Sequence, residues 1–244
     1  MRRLHLLIMT LFVAGSAYAA DESLPPAQKT GSWRATVKES EQTLDAFLAE
    51  KPRHVVPNDV IYLMPIGKFN KQQRRLIGGV SEYLQAKFGI SVQIMPDVAF
   101  VTVSQEGARK NPITGQFQVS APYVIENVIE RNSPHVYASV VGVTAQDIFP
   151  GNETNYVMGL ATPETRVALV STARMWEGDV DDAQALARFK KLVAHECLHT
   201  FALAHETLHK CLMNGYNSIS ELDALPDTCS SVSRSKAQAV GIGC

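Results

Sequence analysis

The chain has 244 residues, 45% hydrophobic content, 23 basic against 24 acidic side chains and a net charge of −1, which is enough to bury one good core or two small lobes around a cleft. Lysines and arginines are interspersed with acids and form no basic run, so nothing in the charge pattern points to nucleic acid. Beyond the first twenty residues no apolar stretch is long enough to cross a bilayer, which argues against a membrane anchor.

Those first residues, MRRLHLLIMTLFVAGSAYAA, place Arg2 and Arg3 before an apolar run and end on the small-x-small pattern of Ala17, Tyr18 and Ala19. This reads as a secretory signal, with cleavage expected after Ala19 or Ala20. No cysteine follows the run, so the expected product is an exported, periplasmic or secreted monomer without a lipid anchor. Residues 21–57 are polar until Leu44, Phe47 and Leu48. SEQTLDAFLAE reads as one short helix starting at Ser40 with Thr43 and Asp45 in its first turns, and the whole segment as a propeptide, a linker or a packed arm.

From Val60 the pattern is α/β. VIYLMPIG is a buried strand ended by Pro65 and Gly67. KQQRRLIGGVSEYLQAKFG has helical spacing through Leu76, Val80, Tyr83, Leu84 and Phe88 with a stop at Gly89, although Gly78 and Gly79 interrupt it. ISVQIM and VAFVTVS follow as strands, and strand, helix, strand in this order favours a right-handed crossover onto a parallel pair. EGARKNPITGQFQ carries a turn signature without periodicity and reads as a surface loop. APYVIENVIERN is a helix with Pro122 in its first turn, and HVYASVVGVTAQDIF a strand running into a turn. NYVMGLATP and TRVALVSTARM are two further strands separated by Pro163, which suits a hairpin or a sheet edge. His54 and His135, lone histidines beside apolar runs, read as structural residues rather than ligands. A longer helix follows, with Asp181 and Gln184 spaced as a capping box. Leu186, Phe189, Val193 and Cys197 form its apolar stripe, with His195 and His199 on roughly the opposite side.

That helix ends in HECLHTFALAH, from His195 to His205. Histidines four apart on a helix lie about 40° apart around its axis and roughly 6 Å along it, so both imidazoles reach one ion. Glu196 points to a neighbouring part of the same face, near enough to act on a metal-bound water without ligating the metal. His205 is the candidate third ligand. A tetrahedral zinc held by three imidazoles keeps one position open for a water, which it acidifies into a nucleophile. On a straight helix His205 would lie about 9 Å beyond His199 and about 120° off its azimuth, so the chain must turn near Ala202. An alanine there costs about 1 to 2 kcal/mol in a left-handed conformation. If the turn fails, Glu206 or Glu221 is the alternative third ligand.

The sequence resembles the metzincin clan and, within it, the archaemetzincins. The resemblance rests on HECLHTFALAH followed by KCLMNGYNSISELD, and on VIYLMPIG, VVGVTAQDIF and NYVMGLAT with ALVSTARM upstream, covering roughly 58–232. It implies an α/β (α+β) fold with a twisted mixed sheet, an active-site helix and a small C-terminal subdomain within 58–244. It also implies one catalytic zinc on His195, His199 and His205, Glu196 as general base, and Met213 as the Met-turn residue. The expected activity is hydrolysis of a peptide or protein substrate. Tyr216 is a candidate oxyanion donor, and the strand at 156–161 an edge along which an extended peptide can pair. A catalytically degenerate, exported zinc-containing binding protein is the alternative of another class.

Archaemetzincins carry a second zinc on four cysteines, and this chain departs from that pattern. Glu206 and Val232 stand at two of the four positions, with only Cys211 and Cys229 kept. The expectation is that export replaces the metal by a Cys211–Cys229 disulfide, leaving Cys197 a buried thiol unless it pairs with Cys244. No cysteine precedes Cys197, which excludes a cysteine switch, while Asp21 remains a candidate for capping the metal.

Overall fold

The computed structural model describes residues 21–25, 31–100, 107–151 and 154–244. The expected leader at 1–20 and the end of the VAFVTVS strand lie outside the described residues. Elements run in the order α1 (Trp33–Thr36), α2 (Leu44–Ala49), β1 (Val60–Ile66), α3 (Lys71–Phe88), β2 (Ser91–Ile94), β3 (Ala108–Lys110), β4 (Phe117–Ser120) and α4 (Ala121–Val124). A π-helical turn (Ile125–Ile129) joins α4 to α5 (Glu130–Asn132). There follow β5 (Ser139–Thr144), β6 (Asp147–Phe149), β7 (Gly159–Thr162), β8 (Val167–Ser171), α6 (Asp182–Thr200), α7 (Ile219–Ala224) and α8 (Ser231–Ala239).

The main sheet has the order β2-β1-β5-β8-β7. β1 pairs in parallel with β2 and β5, β5 in parallel with β8, and β7 closes one end antiparallel to β8. The α/β fold class is therefore as the sequence suggests, including the parallel β1–β2 pair across α3 and the β7–β8 hairpin at Pro163. Its central strands β5 and β8 are buried at every position because both faces are covered. Leu63, Val141 and Val170 turn to the layer containing α3 and α6, while Met64, Val140 and Leu169 turn to the layer containing α4 and the π turn. Ile129 of that turn lies over Gly142, where any β-carbon would collide with it.

α3 has a complete capping box between Asn70 and Gln73 and ends at Gly89 with φ 69°, the left-handed stop that glycine tolerates. Of the two glycines inside it, Gly79 has a packing reason: a β-carbon there would lie 3.0 Å from the Leu186 side chain of α6. α6 is capped by Asp181, which accepts from the Gln184 N–H. The reciprocal half of the box is not made, since the Gln184 side chain donates to Asp223. Nor is α6 two-faced as its apolar stripe suggests. Leu192, Ala194 and Leu198 are buried along with Phe189, Val193 and Cys197, because packing encloses the C-terminal half of the helix.

Three further expectations are corrected. The stretch read as a loop over 106–118 contains two short strands, and β3-β4-β6 form a second sheet. Its turn signature is real, since Asn111 Oδ1 accepts from Ile113 and Thr114, but Arg109 ties the flanking residues to Gln118, Gly151, Thr154 and Asn155. The turn after β5 likewise enters a strand, β6, which pairs in parallel with β4. The early helix begins at Leu44 rather than Ser40, because the Thr43 side chain takes the Ala46 N–H as its cap.

The segment from 31 to 57 is packed into the body of the protein. Phe47 is fully buried in the principal core and the Val55 N–H donates to Val240. The cysteine pairing also differs from expectation: Cys229 bonds to Cys244, at a Cα separation of 5.8 Å, and Cys211 is a free buried thiol. The C-terminus folds back beside α8 and supplies the partner, leaving Cys211 with the Ser233 hydroxyl at 4.0 Å. Cys197 is the buried free thiol expected of it. No helix among the described residues is long and apolar enough to cross a membrane.

Candidate metal centre

α6 carries His195, Glu196 and His199 and stops at Thr200. The stop is a Schellman arrangement: the Ala202 N–H donates to His199 O and the Leu203 N–H to Leu198 O. Ala202 holds φ 66°, so this chain makes the required left-handed turn with alanine, at a cost of about 1 kcal/mol or more. The turn swings His205 back toward the helix.

As a result three imidazoles converge. His199 Nε2 lies 3.0 Å from His195 Nε2 and 3.2 Å from His205 Nε2. Each ring is held from behind by an acceptor on its Nδ1: Leu212 O at 2.8 Å for His195, Leu203 O at 2.6 Å for His199 and Glu39 Oε2 at 2.8 Å for His205. Carbonyl and carboxylate oxygens only accept, so the proton of each ring sits on Nδ1 and each Nε2 presents a lone pair. Burial pushes His199 down to about 3, His205 to about 4 and His195 well below the usual histidine value. The rings are therefore neutral at neutral pH. Three lone pairs facing one another repel unless a cation lies between them, and nitrogens bound at about 2.0 to 2.1 Å to a tetrahedral zinc sit at comparable mutual distances. Among the described residues these three form the only cluster of histidine, cysteine and acidic side chains close enough to share an ion.

The alternative ligands are engaged elsewhere. Glu206 is buried and accepts from the Leu208 and His209 N–H groups and the Ser230 hydroxyl. Glu221 accepts from the N–H groups of Trp33 and Asn217. Asp21, the candidate cap on the metal, instead accepts from the backbone N–H and hydroxyl of Ser231 at the start of α8. His54 and His135 are exposed and outside the cluster.

Glu196 is buried beside the cluster, and burial pushes its carboxyl up to about 8. The Tyr216 hydroxyl lies 3.4 Å from Glu196 Oε1 and donates to it, pulling in the opposite direction. Met213 is fully buried in the turn whose Leu212 carbonyl holds His195. The three histidines, Glu196 and Tyr216 line a cleft of about 750 Å³ together with residues 156–161, which run into the β7 edge, and the arm residues Trp33, Thr36 and Glu39.

Sequence reasoning missed four contributors. Gly159 gives Glu196 its space, and a glycine at a strand start was the available signal. Trp33, Glu39 and Gln42 come from the arm, more than 150 positions before the histidines, where no local spacing reveals them.

No family model matches this chain. It is 25% identical over 245 residues to archaemetzincin-2 of Rattus norvegicus, covering 86% of this chain and 68% of the relative. It is 29% identical over 171 residues to the archaemetzincin of Pyrococcus furiosus, covering 68% and 85%. Among solved structures, its fold matches the archaemetzincin of Archaeoglobus fulgidus, crystallised with malonate, at a TM-score of 0.58 and 23% identity, over 72% of this chain and 99% of that one. A zinc-dependent peptidase of Methanocorpusculum labreanum gives a TM-score of 0.57 at 22% identity, again over 72% and 99%. In sequence and in fold together, this chain is similar to the archaemetzincins.

Proposed function

We propose that His195, His199 and His205 hold a single zinc ion and that Glu196 is the general base, then the general acid, of peptide-bond hydrolysis. The observation that carries this reading is the convergence of three Nε2 lone pairs beside a buried carboxyl in an open cleft. Zinc bound there supplies Lewis acidity, which brings the pKa of a water to about 7 and polarises a carbonyl. Glu196 takes the proton of the attacking water on its carboxylate and hands it to the leaving amine. A cation on the histidines pulls the Glu196 carboxyl down from about 8 toward the ionised form this role needs. Tyr216 orients the carboxylate through its hydroxyl and offers a phenol to the oxyanion that develops.

An extended peptide fits along the edge of β7 turned away from β8, its main chain pairing with the strand and its scissile bond drawn toward Glu196. Main-chain pairing of this kind confers little sequence selectivity. The leader pattern over 1–20 and the Cys229–Cys244 bridge support an exported product, for which the N-terminal sequence of protein recovered from the periplasm or medium is the check.

Metal content and peptide cleavage measured on the same samples test the site. One zinc per chain, lost in His205→Ala and kept without cleavage in Glu196→Gln, is the expected result. Full cleavage by Glu196→Gln removes that residue from the mechanism, and zinc without cleavage of any peptide pool transfers the reading to a degenerate binding protein.

A further inference from the structure

Between α1 and α2 the chain crosses the metal centre. It is fastened at one end by the Trp33 N–H on Glu221 and by Asn217 Nδ2 donating to Thr36 Oγ1 at 2.9 Å. At the other end Phe47 is buried in the core. Two side chains of this span meet the segment that carries the third histidine. Gln42 clamps the left-handed turn from both sides, its Nε2 donating to Ala202 O at 3.1 Å and its Oε1 accepting from the Ala204 N–H at 3.0 Å. Glu39 accepts from His205 Nδ1 at 2.8 Å, and the Trp33 ring stands edge-on to His205 with centroids 4.9 Å apart.

We infer that the 31–43 arm is a working part of the metal centre, in which Gln42 holds the Ala202 turn and Glu39 aims His205. The inference rests on the reading of the three histidines as zinc ligands. The physical reason lies in the turn. His195 and His199 are placed by α6 itself, and their Nδ1 atoms are held by carbonyls of the chain that follows it. His205 has no helix to place it and depends on a turn that alanine enters unwillingly. Both backbone groups flanking that turn are occupied by one amide side chain. The only Nδ1 acceptor not drawn from the α6–α7 region belongs to the arm. A strap that merely covered the cleft would require neither the clamp nor the acceptor.

Acceptors behind a ligating histidine are worth about 10-fold to 100-fold in metal affinity when removed. Chelator competition with zinc, and the visible spectrum of the cobalt-substituted protein, read this directly in Glu39→Ala, Gln42→Ala, Glu39→Gln, Ala202→Gly and the Gln42→Ala/Ala202→Gly pair. Expected is a loss of about 10-fold in zinc affinity and a changed cobalt spectrum for each alanine variant. Glu39→Gln, which keeps an acceptor oxygen, retains most of the affinity. Glycine at 202 restores what Gln42→Ala loses, because it enters the turn without support. Zinc affinities within twofold of the parent in both alanine variants overturn the inference, and increased cleavage at unchanged affinity makes the arm an inhibitory strap instead. A parent protein that binds no zinc overturns the metal-site reading itself, an outcome distinct from either.

Discussion

Gly159 lies directly against Glu196: a β-carbon on it would stand 2.5 Å from both Cδ and Oε1 of the carboxyl. The edge strand and the helix approach this closely only because position 159 has no side chain, and the contact places the carboxyl beside the histidines. Gly159→Ala is expected to push Glu196 out of line, lowering cleavage about 100-fold or more, the scale of a lost general base. Its zinc content should match the parent. Unimpaired cleavage by this variant would show that the position of Glu196 is not critical.

The metal-free protein has a pH signature. The histidines, held down to about 3 and 4 from an ordinary 6.5, bind protons more readily when unfolded. Their contribution to stability is present above pH 6.5 and is lost as pH falls toward those values. Glu196, raised from 4.5 to about 8, binds its proton more readily when folded, so its contribution is present below pH 4.5 and is lost as pH rises toward 8. Between pH 6.5 and 8 only the Glu196 slope remains among these groups. Chemical denaturation in chelator should therefore show stability falling with pH in that window by up to about 1.4 kcal/mol per unit, and Glu196→Gln should remove the fall.

Glu206 occupies a position where the resemblance leads one to expect a cysteine ligand, and its carboxylate is used for structure. Two backbone N–H groups and the Ser230 hydroxyl donate to it in a buried setting. Glu206→Ala leaves these donors unpaired and should cost about 2 to 3 kcal/mol by denaturant titration, with the bound zinc unchanged. Loss of zinc at native temperature would implicate Glu206 in the centre after all.

Peptide mapping without reduction should recover Cys229 joined to Cys244, with Cys197 and Cys211 alkylated after unfolding. The bridge spans 15 positions, so Cys244→Ser is expected to cost about 3 kcal/mol on the chain-entropy account. A recovered Cys211–Cys229 peptide would reinstate the original expectation.

Phe47 ties the arm to the core with no exposed surface. Phe47→Ala should cost about 3 to 5 kcal/mol, measured by thermal or urea unfolding. A removable prosegment would instead tolerate the change with little loss.

Much of this molecule is legible along the chain. The strand and the helix between Val60 and Phe88 follow from their periodicity and end signals, and HECLHTFALAH shows the metal chemistry because helical geometry alone brings His195, Glu196 and His199 to one region. The failures have a common cause. The β4–β6 pairing joins partners such as Gln118 and Asp147, far apart along the chain, and the Cys229–Cys244 bond depends on where the C-terminus returns, so no local pattern foretells either.

What the sequence determined by itself, then, is the identity of the ligand-bearing helix, the need for a turn before His205 and the alternation of strands and helices, all consequences of bonded geometry over a few residues. Tertiary structure decided what occupies the space around that helix: the alanine turn held by Gln42, the acceptor that Glu39 offers His205, and the bare backbone of Gly159 against Glu196. Those relationships join residues up to 166 positions apart. They exist only once burial of the core has fixed the sheet, the helix and the arm in one arrangement.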